Sequence, residues 1–327
     1  KRVKRRIVKK MNWINKVRSI GEKIKKNIKK KFPSQSERDS SNWTSCCRGP
    51  ILKETLKENF YQCPDCLKTF PVLPKFRFES LFLKNSYEII NAPMVRNEDP
   101  LQWTDASGKY IDKLKSTKNN TNTNSSVQAA EGKLTKDINA VVVCSDFKFF
   151  GASTSMNEGE QILYACDRSL KSNSPLIIFA QGGGMRMQSG MLSLYQMPRT
   201  IIGISEVRKK NIPVIIIVDV VASGGISASY AAVGDFLIFE GEKSKFMFAG
   251  PRVIQGTISE GELPISFQEG TFCVSHGFGD FIIKNRKDTK NTLVKLLNIL
   301  LKIDTSVNSV SSDETSEDNR TLTKAAS

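Results

Sequence analysis

The middle of the chain alternates between short apolar runs and amphipathic stretches. Residues 140–144 are continuously apolar, which predicts a buried strand over 139–145, and residues 158–170 repeat apolar positions at helical spacing. The inward-facing positions of that predicted helix are Ile162, Leu163, Cys166 and Leu170. Further apolar runs begin near residues 174 and 212. Buried strands that alternate with amphipathic helices predict an α/β core.

Both later apolar runs end in glycines. The first reads Phe179-Ala-Gln-Gly-Gly-Gly-Met-Arg-Met-Gln188, and the second reads Asp219-Val-Val-Ala-Ser-Gly-Gly-Ile-Ser-Ala-Ser229. Glycine has no Cβ, so each turn exposes backbone N–H groups, and we expect a helix to start directly after it. Such donors suit a reaction in which negative charge develops on a carbonyl oxygen. Neither run has the spacing of a dinucleotide-binding or phosphate-binding loop.

Three sequence motifs occur in a fixed order along the core. They are Gly183-Gly-Met-Arg-Met-Gln188, Gly224-Gly-Ile-Ser-Ala-Ser229 and Phe248-Ala-Gly-Pro-Arg-Val-Ile254. With these motifs the chain resembles the carboxyltransferase β subunits of the multi-subunit acetyl-CoA carboxylase of bacteria and plastids, from about Met11 to Leu301. The resemblance implies a crotonase-like spiral of β-β-α units that carries an N-terminal zinc-ribbon-like finger.

The same resemblance implies a reaction and its residues. The reaction is transfer of a carboxyl group from carboxybiotin to acetyl-CoA, which gives malonyl-CoA in the first step of fatty acid synthesis. The expected thioester oxyanion hole is Gly224 and Gly225. The expected substrate-binding residues are Gly182, Gly183, Gly184, Arg186 and Arg252. Each arginine could instead lock a neighbouring loop, and the sequence leaves that alternative open.

The resemblance also implies partners. We expect an α subunit that completes the active site, a biotin carboxyl carrier protein that supplies biotin, and a biotin carboxylase that brings ATP binding to the complex. The expected assembly is a heterohexamer, and this chain alone should be inactive. The expected location is the plastid stroma, with the bacterial cytoplasm as the alternative.

Four cysteines near the amino terminus are candidate metal ligands. Cys63-Pro-Asp-Cys66 is a knuckle that turns two thiolates toward one tetrahedral ion. The related proteins carry a second C-x-x-C pair upstream, whereas this chain reads Trp43-Thr-Ser-Cys-Cys-Arg48. Side chains of adjacent residues diverge, so Cys46 would be a strained fourth ligand beside Cys47. The sequence therefore predicts either a structural zinc on all four cysteines or a site that has lost its metal.

Composition shifts divide the chain into five regions. They are a basic arm (1–42), the finger (43–70), a connecting region (71–126), the carboxyltransferase core (127–302) and a disordered tail (303–327). The polar run 119–126 predicts a surface loop. Pro198 predicts a break in a helical stretch from 186 to 209, because an interior proline removes a hydrogen bond.

Charge is concentrated in the arm. Residues 1–32 hold fifteen Lys and Arg against one Glu, which is +14 of the net charge of +16. A basic arm could bind nucleic acid or an anionic surface, or could be a solvated extension. A zinc-ribbon nucleic-acid-binding protein is therefore a second hypothesis, and a catalytically silent paralogue is a third. No window of eighteen apolar residues predicts a membrane span.

Overall fold

The structure, a computed structural model, describes residues 42–257 and 262–303. The predicted basic arm and C-terminal tail lie almost wholly outside these residues. The described chain forms two compact units, and each is treated by itself. One consists of residues 42–59 and 64–66, and the other consists of residues 60–63 and the chain from residue 67 onward.

The smaller unit is built on an antiparallel hairpin. Strand β1 (Trp43–Cys46) pairs with β2 (Gly49–Leu52), and the chain reverses at residues 47 and 48. Gly49 has a φ of +111°, a backbone conformation that favours glycine. Helix α1 (Lys53–Glu58) comes directly after β2 and buries Leu56. The hairpin thus places two consecutive cysteines at its turn.

The larger unit contains an eight-stranded sheet. Its strands are β3 (Tyr87–Ile90), β6 (Val127–Lys133), β7 (Asn139–Ser145), β8 (Leu176–Gly182), β9 (Val214–Ser223), β10 (Phe236–Glu240), β11 (Lys245–Met247) and β12 (Phe281–Ile283). The order is β12-β10-β9-β8-β7-β6-β3, and β11 pairs with the end of β9. Strands β7 to β12 are mutually parallel, so their carboxyl ends share one edge. A separate small hairpin joins β4 (Thr104–Asp105) to β5 (Gly108–Lys109).

Helices cover both faces of this sheet. The α-helices in the described part of this unit are α2 (Pro74–Leu81), α3 (Tyr110–Thr121), α4 (Met156–Ser172), α5 (Met191–Leu194), α6 (Gln196–Lys209), α7 (Pro251–Thr257), α8 (Gly270–Ser275) and α9 (Thr289–Leu300). One core contains residues of α4 and α6, and the opposite core contains residues of α2 and α9. Successive residues of β7 point to opposite cores, with Val141 on one face and Val142 on the other. The strands are apolar throughout because both of their faces are buried.

The structure confirms the predicted strand 139–145 as β7 and the predicted helix 158–170 as part of α4. The predicted surface loop at 119–126 is confirmed only in its middle, because α3 continues to Thr121, Asn122 and Asn124 are exposed in an irregular segment, and Ser125 and Ser126 are buried. Ser126 is buried because its backbone N–H donates to the Glu158 carboxylate at 3.0 Å. The predicted break in the helical stretch 186–209 is confirmed, since α5 ends at Leu194 and α6 begins at Gln196. Pro198 lies in the first turn of α6, where its missing N–H costs no bond within the helix.

Among the helices of residues 42–257 and 262–303, none combines the length and apolar character needed to cross a bilayer.

Candidate active site at two glycine turns

The first glycine turn leaves the carboxyl end of β8. Gly182 and Gly184 have φ values of +144° and +105°, which side chains rarely adopt. A Cβ on Gly182 would also collide with the carbonyl oxygen of Ala152. Gly183 differs, because it is exposed and a Cβ there would have only the Gly151 carbonyl nearby, at 3.8 Å. Two of the three glycines are therefore required by the backbone itself.

The second glycine turn leaves the carboxyl end of β9, the neighbouring parallel strand. A Cβ built on Gly184 would lie 3.5 Å from the Cα of Gly224 and 3.4 Å from the backbone nitrogen of Gly225. The two turns are consequently in direct backbone contact. Sequence positions about forty residues apart thus form one site at the carboxyl edge of the sheet, where α/β proteins commonly bind ligands.

Backbone N–H groups at this site differ in what they bind. Gly183 donates to the Gly151 carbonyl at 3.0 Å, and Gly224 donates to the Met247 carbonyl at 3.0 Å. Within residues 42–257 and 262–303, the N–H groups of Gly184, Met185 and Gly225 have no acceptor. The amide of Gly224 is already used, so Gly225 is the available donor of the predicted oxyanion pair. Three N–H groups that lack an acceptor can hold a developing oxyanion.

The expectation that a helix starts directly after each turn is wrong. Residues 187–189 form a short 3₁₀ turn after the first glycines, and the second glycines lead through turns to another at residues 230–232. Neither set of donors therefore lies at the amino terminus of an α-helix. The positive charge offered to a ligand comes from individual N–H groups and not from an aligned helix dipole.

Serine hydroxyls hold the second turn, a role that the sequence alone did not reveal. Ser227 Oγ donates to the carbonyls of Gly224 at 2.9 Å and Met247 at 2.7 Å. Ser229 Oγ donates to the Gly225 carbonyl at 2.5 Å. Ser223 Oγ reaches across to the Gly182 carbonyl at 3.0 Å. The spacing of these serines after the glycine pair was the available signal, because hydroxyls of turn residues commonly bond to nearby carbonyls.

Arg186 is a buried structural residue. Its guanidinium pairs with Glu158 at 2.9 Å and donates to the Ser153 carbonyl at 2.6 Å and the Tyr110 hydroxyl at 3.3 Å. Only 4% of the side chain is exposed. Of its two predicted roles, the contacts support locking a loop, and the guanidinium is shielded from solvent. Arg252 lies in α7, but its side chain is outside the described part of the chain.

Burial and charge oppose each other in the Arg186–Glu158 pair. Burial disfavours the charged form of Glu158, but Arg186 and two backbone N–H groups outweigh it and lower the pKa of this carboxyl. For Arg186, burial acts against the charge and Glu158 more than compensates, which raises the pKa. Glu158 also accepts the Ser155 N–H at 2.9 Å and so caps α4. The Ser155-x-x-Glu158 spacing is a capping-box signature, and it is the sequence signal that could have revealed this role.

A cavity of about 480 Å³ opens at the amino end of β6. Because β6 runs antiparallel to β7, this is the same edge of the sheet as the glycine turns. Its lining combines amide side chains with Ile89, Ile90 and Met94, and the amides are Asn91, Asn122, Asn124, Gln128 and Gln161. Strand β6 lies two positions from β8 in the sheet order, which corresponds to roughly 10 Å at ordinary strand spacing.

An apolar surface lies next along the chain after the first glycine turn. Met187, Met191 and Tyr195 are 67%, 66% and 61% exposed, and Leu194 is 46% exposed. Phe248, whose carbonyl lies 3.2 Å from the Gly224 nitrogen, is 73% exposed. Large apolar side chains that are exposed beside a candidate site are typical of interaction surfaces. We refer to these five residues as the apolar surface.

The cysteine cluster satisfies the requirements of a metal site. The sulfur atoms of Cys46, Cys47, Cys63 and Cys66 all lie within 4.8 Å of one another, and those of Cys46 and Cys66 are 3.5 Å apart. Four thiolates around Zn²⁺ at about 2.3 Å require sulfur separations of nearly this size. The adjacent cysteines can both face the cluster because the hairpin reverses immediately after Cys46. The four residues therefore fit a structural zinc.

Comparison with known proteins gives the class. Residues 96–325 match the Carboxyl transferase domain family, which is well over half of the chain. In fold, the chain is similar to transcarboxylase 12S, with a TM-score of 0.56, 19% identity and coverage of 75% of this chain and 43% of that one. It is also similar to the malonate decarboxylase MdcD-MdcE hetero-dimer of Pseudomonas, with a TM-score of 0.52, 16% identity and coverage of 69% and 85%. The chain is a carboxyl transferase with the predicted crotonase-like α/β fold.

Sequence relatives narrow the class to one subunit type. The chain is 43% identical over 317 residues to the acetyl-coenzyme A carboxylase carboxyl transferase subunit beta of Pelagibacter ubique, covering 97% of this chain and all of that protein. It is 37% identical over 256 residues to the protein of the same name from Chlorobaculum parvum, covering 78% and 90%. The chain belongs to the family of acetyl-coenzyme A carboxylase carboxyl transferase β subunits.

Proposed function

We propose that this subunit transfers a carboxyl group to acetyl-CoA, giving malonyl-CoA, with its two glycine turns holding the thioester. Carboxybiotin on a separate carrier protein would supply the carboxyl group. The bond between its ureido nitrogen and the carboxyl carbon breaks, and the freed nitrogen accepts the proton that the acetyl methyl loses. As that proton leaves, negative charge moves onto the thioester oxygen. The new bond then forms between the former methyl carbon and the transferred carboxyl carbon.

The observation that carries the proposal is that three N–H groups have no acceptor within the part of the chain that the structure describes. Gly184, Met185 and Gly225 lie on two turns in backbone contact, and we propose that one oxygen approaches donors from both turns. Donors that are already fixed cost no reorganisation when the charge develops, and one such donor contributes about 3 kcal/mol to transition-state stabilisation. The chain thus needs no side-chain nucleophile for its part of the reaction.

The test is malonyl-CoA formation by this chain together with an α subunit and a biotinylated carrier. Product formed by the pair and absent with either subunit alone supports the proposal. A correctly assembled pair that makes no malonyl-CoA would favour the silent paralogue. Nothing in the described residues favours the nucleic-acid-binding alternative, whose basic arm lies outside them.

The α subunit is also the partner that we propose for the apolar surface. This surface borders the glycine turns, so a subunit seated on it would close the site against water and could supply donors for the second charged oxygen. Met191→Glu should prevent assembly without unfolding the chain, as seen by size-exclusion chromatography and circular dichroism. Met94→Glu is the matched control, since Met94 is exposed but lies at the cavity. An unimpaired complex of the Met191→Glu protein would show that the partner binds elsewhere.

For acetyl-CoA we propose that the cavity takes the nucleotide end while the exposed backbone at Gly183 faces the acyl end. Amide side chains can pair with the edge of a base, and apolar residues can pack on its face. Gln128→Leu should raise the KM for acetyl-CoA without lowering kcat, because the nucleotide end is bound equally in ground and transition states. An unchanged KM would remove the cavity from the substrate site.

We further propose that the cysteine cluster holds one structural zinc. Metal analysis of protein purified without chelator should give close to one zinc per chain, and Cys63→Ser should remove it. A value near zero in the unmutated protein would show that the adjacent cysteines cannot complete the site.

The remaining partners that we propose are a biotin carboxyl carrier protein and a biotin carboxylase, which would bring ATP to a heterohexameric complex. The relatives compared are bacterial and lend the plastid no support, so we favour the bacterial cytoplasm.

A further inference from the structure

Four charged side chains are buried together beneath the sheet. They are Arg77, Asp219, Glu240 and Arg286, which we call the buried ion cluster, and each is at most 3% exposed. Arg77 donates to both Glu240 oxygens at 2.7 Å and to Asp219 at 3.0 Å. Arg286 donates to Glu240 at 2.7 Å and also to Asp219. Two positive and two negative groups make the cluster neutral.

The buried ion cluster lies where strand β9 changes neighbour. Up to Val218, β9 pairs with β10, and from Val221 it pairs with β11. On the other side of β9, Ala180 of β8 pairs with Val218, and Gly182 of β8 pairs with Ala222. Two residues of β8 thus correspond to four residues of β9. Strand β9 therefore carries two extra residues in a bulge, and Asp219 is the first residue of that bulge. Bulges bend a strand and redirect the chain beyond them, and they are frequent beside active sites.

The second glycine turn comes directly after this bulge. Only Ala222 and Ser223 separate Val221 from Gly224, so the backbone conformation of the bulge determines the position of the Gly225 N–H. Arg77 also contacts the strand of the first turn, because its guanidinium is 4.1 Å from the Phe179 ring centre on β8. The cluster thus contacts both strands that lead into the site, at Phe179 on β8, three residues before Gly182, and at Asp219 on β9, five residues before Gly224.

Arg286 ties this bulge to a second segment. Its Nη1 donates to the backbone carbonyls of Phe60, Tyr61 and Phe70, at 3.1, 3.2 and 2.8 Å. The Gln62 side chain makes two further bonds. Its amide nitrogen donates to the Lys284 carbonyl, and its oxygen accepts the backbone N–H of Arg286. Thr69 Oγ1 donates to the carbonyl of Asp219 itself at 3.4 Å. Residues on both sides of the cysteine knuckle are therefore fastened to the bulge.

Stability alone is a weak explanation for such a cluster. Buried ion pairs lose in desolvation much of what they gain in attraction, and well-packed apolar residues of similar volume are often as stabilising. What charged, forked groups add is a defined geometry, since each guanidinium fixes two carboxylates at once. We infer that the buried ion cluster is a positioning device. It holds the β9 bulge in the conformation that places the Gly225 N–H beside the N–H groups of Gly184 and Met185. This inference rests on the proposed function of those donors.

Arg286→Lys in the assembled complex tests the inference. It keeps the charge but removes the fork and the three carbonyl contacts. We expect kcat per folded complex to fall about 10-fold or more, with the KM for acetyl-CoA within about 2-fold, because misplacing a donor by ~1 Å can cost on the order of 100-fold. Hydrogen exchange should rise in peptides covering residues 219–230 and stay unchanged in those covering 141–145. Thr289→Val is the milder second variant, since it removes one 2.6 Å bond to Glu240 and leaves all four charges.

Arg208→Lys is the matched control. Arg208 pairs with Asp235 at 2.7 Å, and Asp235 accepts the N–H of Val214 at the opposite end of β9. That variant should leave kcat and the exchange of residues 219–230 unchanged. The inference is overturned if Arg286→Lys and Thr289→Val both retain kcat, or if exchange rises equally across the sheet and kcat falls only with the folded fraction. Failure of the unmutated complex to form malonyl-CoA would instead refute the proposed function, and the exchange pattern would still decide whether the cluster holds the bulge.

Discussion

The two glycine turns resemble each other in sequence but are supported by different parts of the molecule. The first is held by a preceding loop, where Gly183 donates to Gly151 and the carbonyl of Gly184 accepts the Thr154 N–H at 2.9 Å. The second is held by β11 and by serine hydroxyls, through the carbonyl of Met247 and the side chain of Ser227. Among the described residues, the N–H groups of Gly184 and Met185 in the first turn and that of Gly225 in the second have no acceptor.

This difference shows how a repeated motif can serve one site without two equal halves. In each turn one glycine N–H bonds to a carbonyl that supports the turn, namely that of Gly183 in the first and that of Gly224 in the second. The N–H groups of Gly184, Met185 and Gly225 are positioned by these bonds but take no part in them. Loss of either support should therefore disturb the site by a different route, and substitutions can separate the two routes.

The largest effect is expected at Gly182. A Cβ there would collide with the Ala152 carbonyl at a φ of +144°, so Gly182→Ala should cost roughly 3 kcal/mol or more in the free energy of unfolding. Gly183→Ala is the matched control, since its Cβ has no atom closer than 3.8 Å and should cost under about 1 kcal/mol. Chemical denaturation measures both. Equal losses at the two positions would show that the first turn is not held as described.

The ion pair behind the first turn comes next. Glu158→Gln would leave Arg186 buried without a countercharge, so stability should fall by about 3 to 5 kcal/mol. The pKa of Glu158 is lowered in the folded state, so its contribution is complete above the ordinary carboxyl pKa and is lost as pH falls through the folded value. The variant should accordingly show a flatter acid branch of stability against pH.

Glu160 provides the comparison for that substitution. It pairs with Arg199 at 2.7 Å, but both side chains are partly exposed. Glu160→Gln should change stability by less than about 1 kcal/mol. If Glu158→Gln were equally mild, the first turn would not depend on the Arg186 pair.

At the second turn, Gly225 is expected to be sensitive for a steric reason. A Cβ on Gly225 would lie 2.5 Å from Met185 Cγ and 3.1 Å from Met197 Sδ, so it would point into packed side chains. Gly225→Ala should lower stability by about 1 to 3 kcal/mol and turnover by about 10-fold, because the donor is displaced. Adding Met185→Ala should restore much of both, since it removes the clash and keeps the Met185 N–H. Turnover that stays low in the double variant would instead place the Cβ in the path of the substrate.

The smallest effect is expected from a single hydroxyl. Ser227→Ala removes the bonds to the carbonyls of Gly224 and Met247 and should cost about 1 kcal/mol. The matched control is Ser172→Ala, whose exposed hydroxyl bonds only to the Arg168 carbonyl. Turnover should fall a few-fold for the first variant and not for the second. Equal behaviour would show that serine hydroxyls do not fix the second turn.

Local sequence patterns predicted strands β7, β8 and β9, the longest helix and the two turns, because buried parallel strands are continuously apolar and glycine marks positive φ. The contact between the turns was not visible, since it depends on β8 and β9 being neighbours in the sheet. The use of the Gly224 amide depends on β11, which was not predicted at all. Arg186 remained ambiguous for a similar reason: its partner Glu158 is twenty-eight residues away. The buried ion cluster joins segments that lie up to about two hundred residues apart, and no local period signals it.

The central claim is that the Gly225 N–H holds the charge on the thioester oxygen. Replacing residue 225 by glycolic acid through cell-free translation removes this N–H and adds no side chain, so the clash with Met185 is avoided. Turnover of the assembled complex should fall by about 100-fold or more with the KM for acetyl-CoA and the melting temperature nearly unchanged. The same replacement at Gly277, whose N–H donates to the Val274 carbonyl in a turn remote in sequence from both glycine motifs, should leave turnover unaffected. Full turnover with the ester at position 225 would contradict the account.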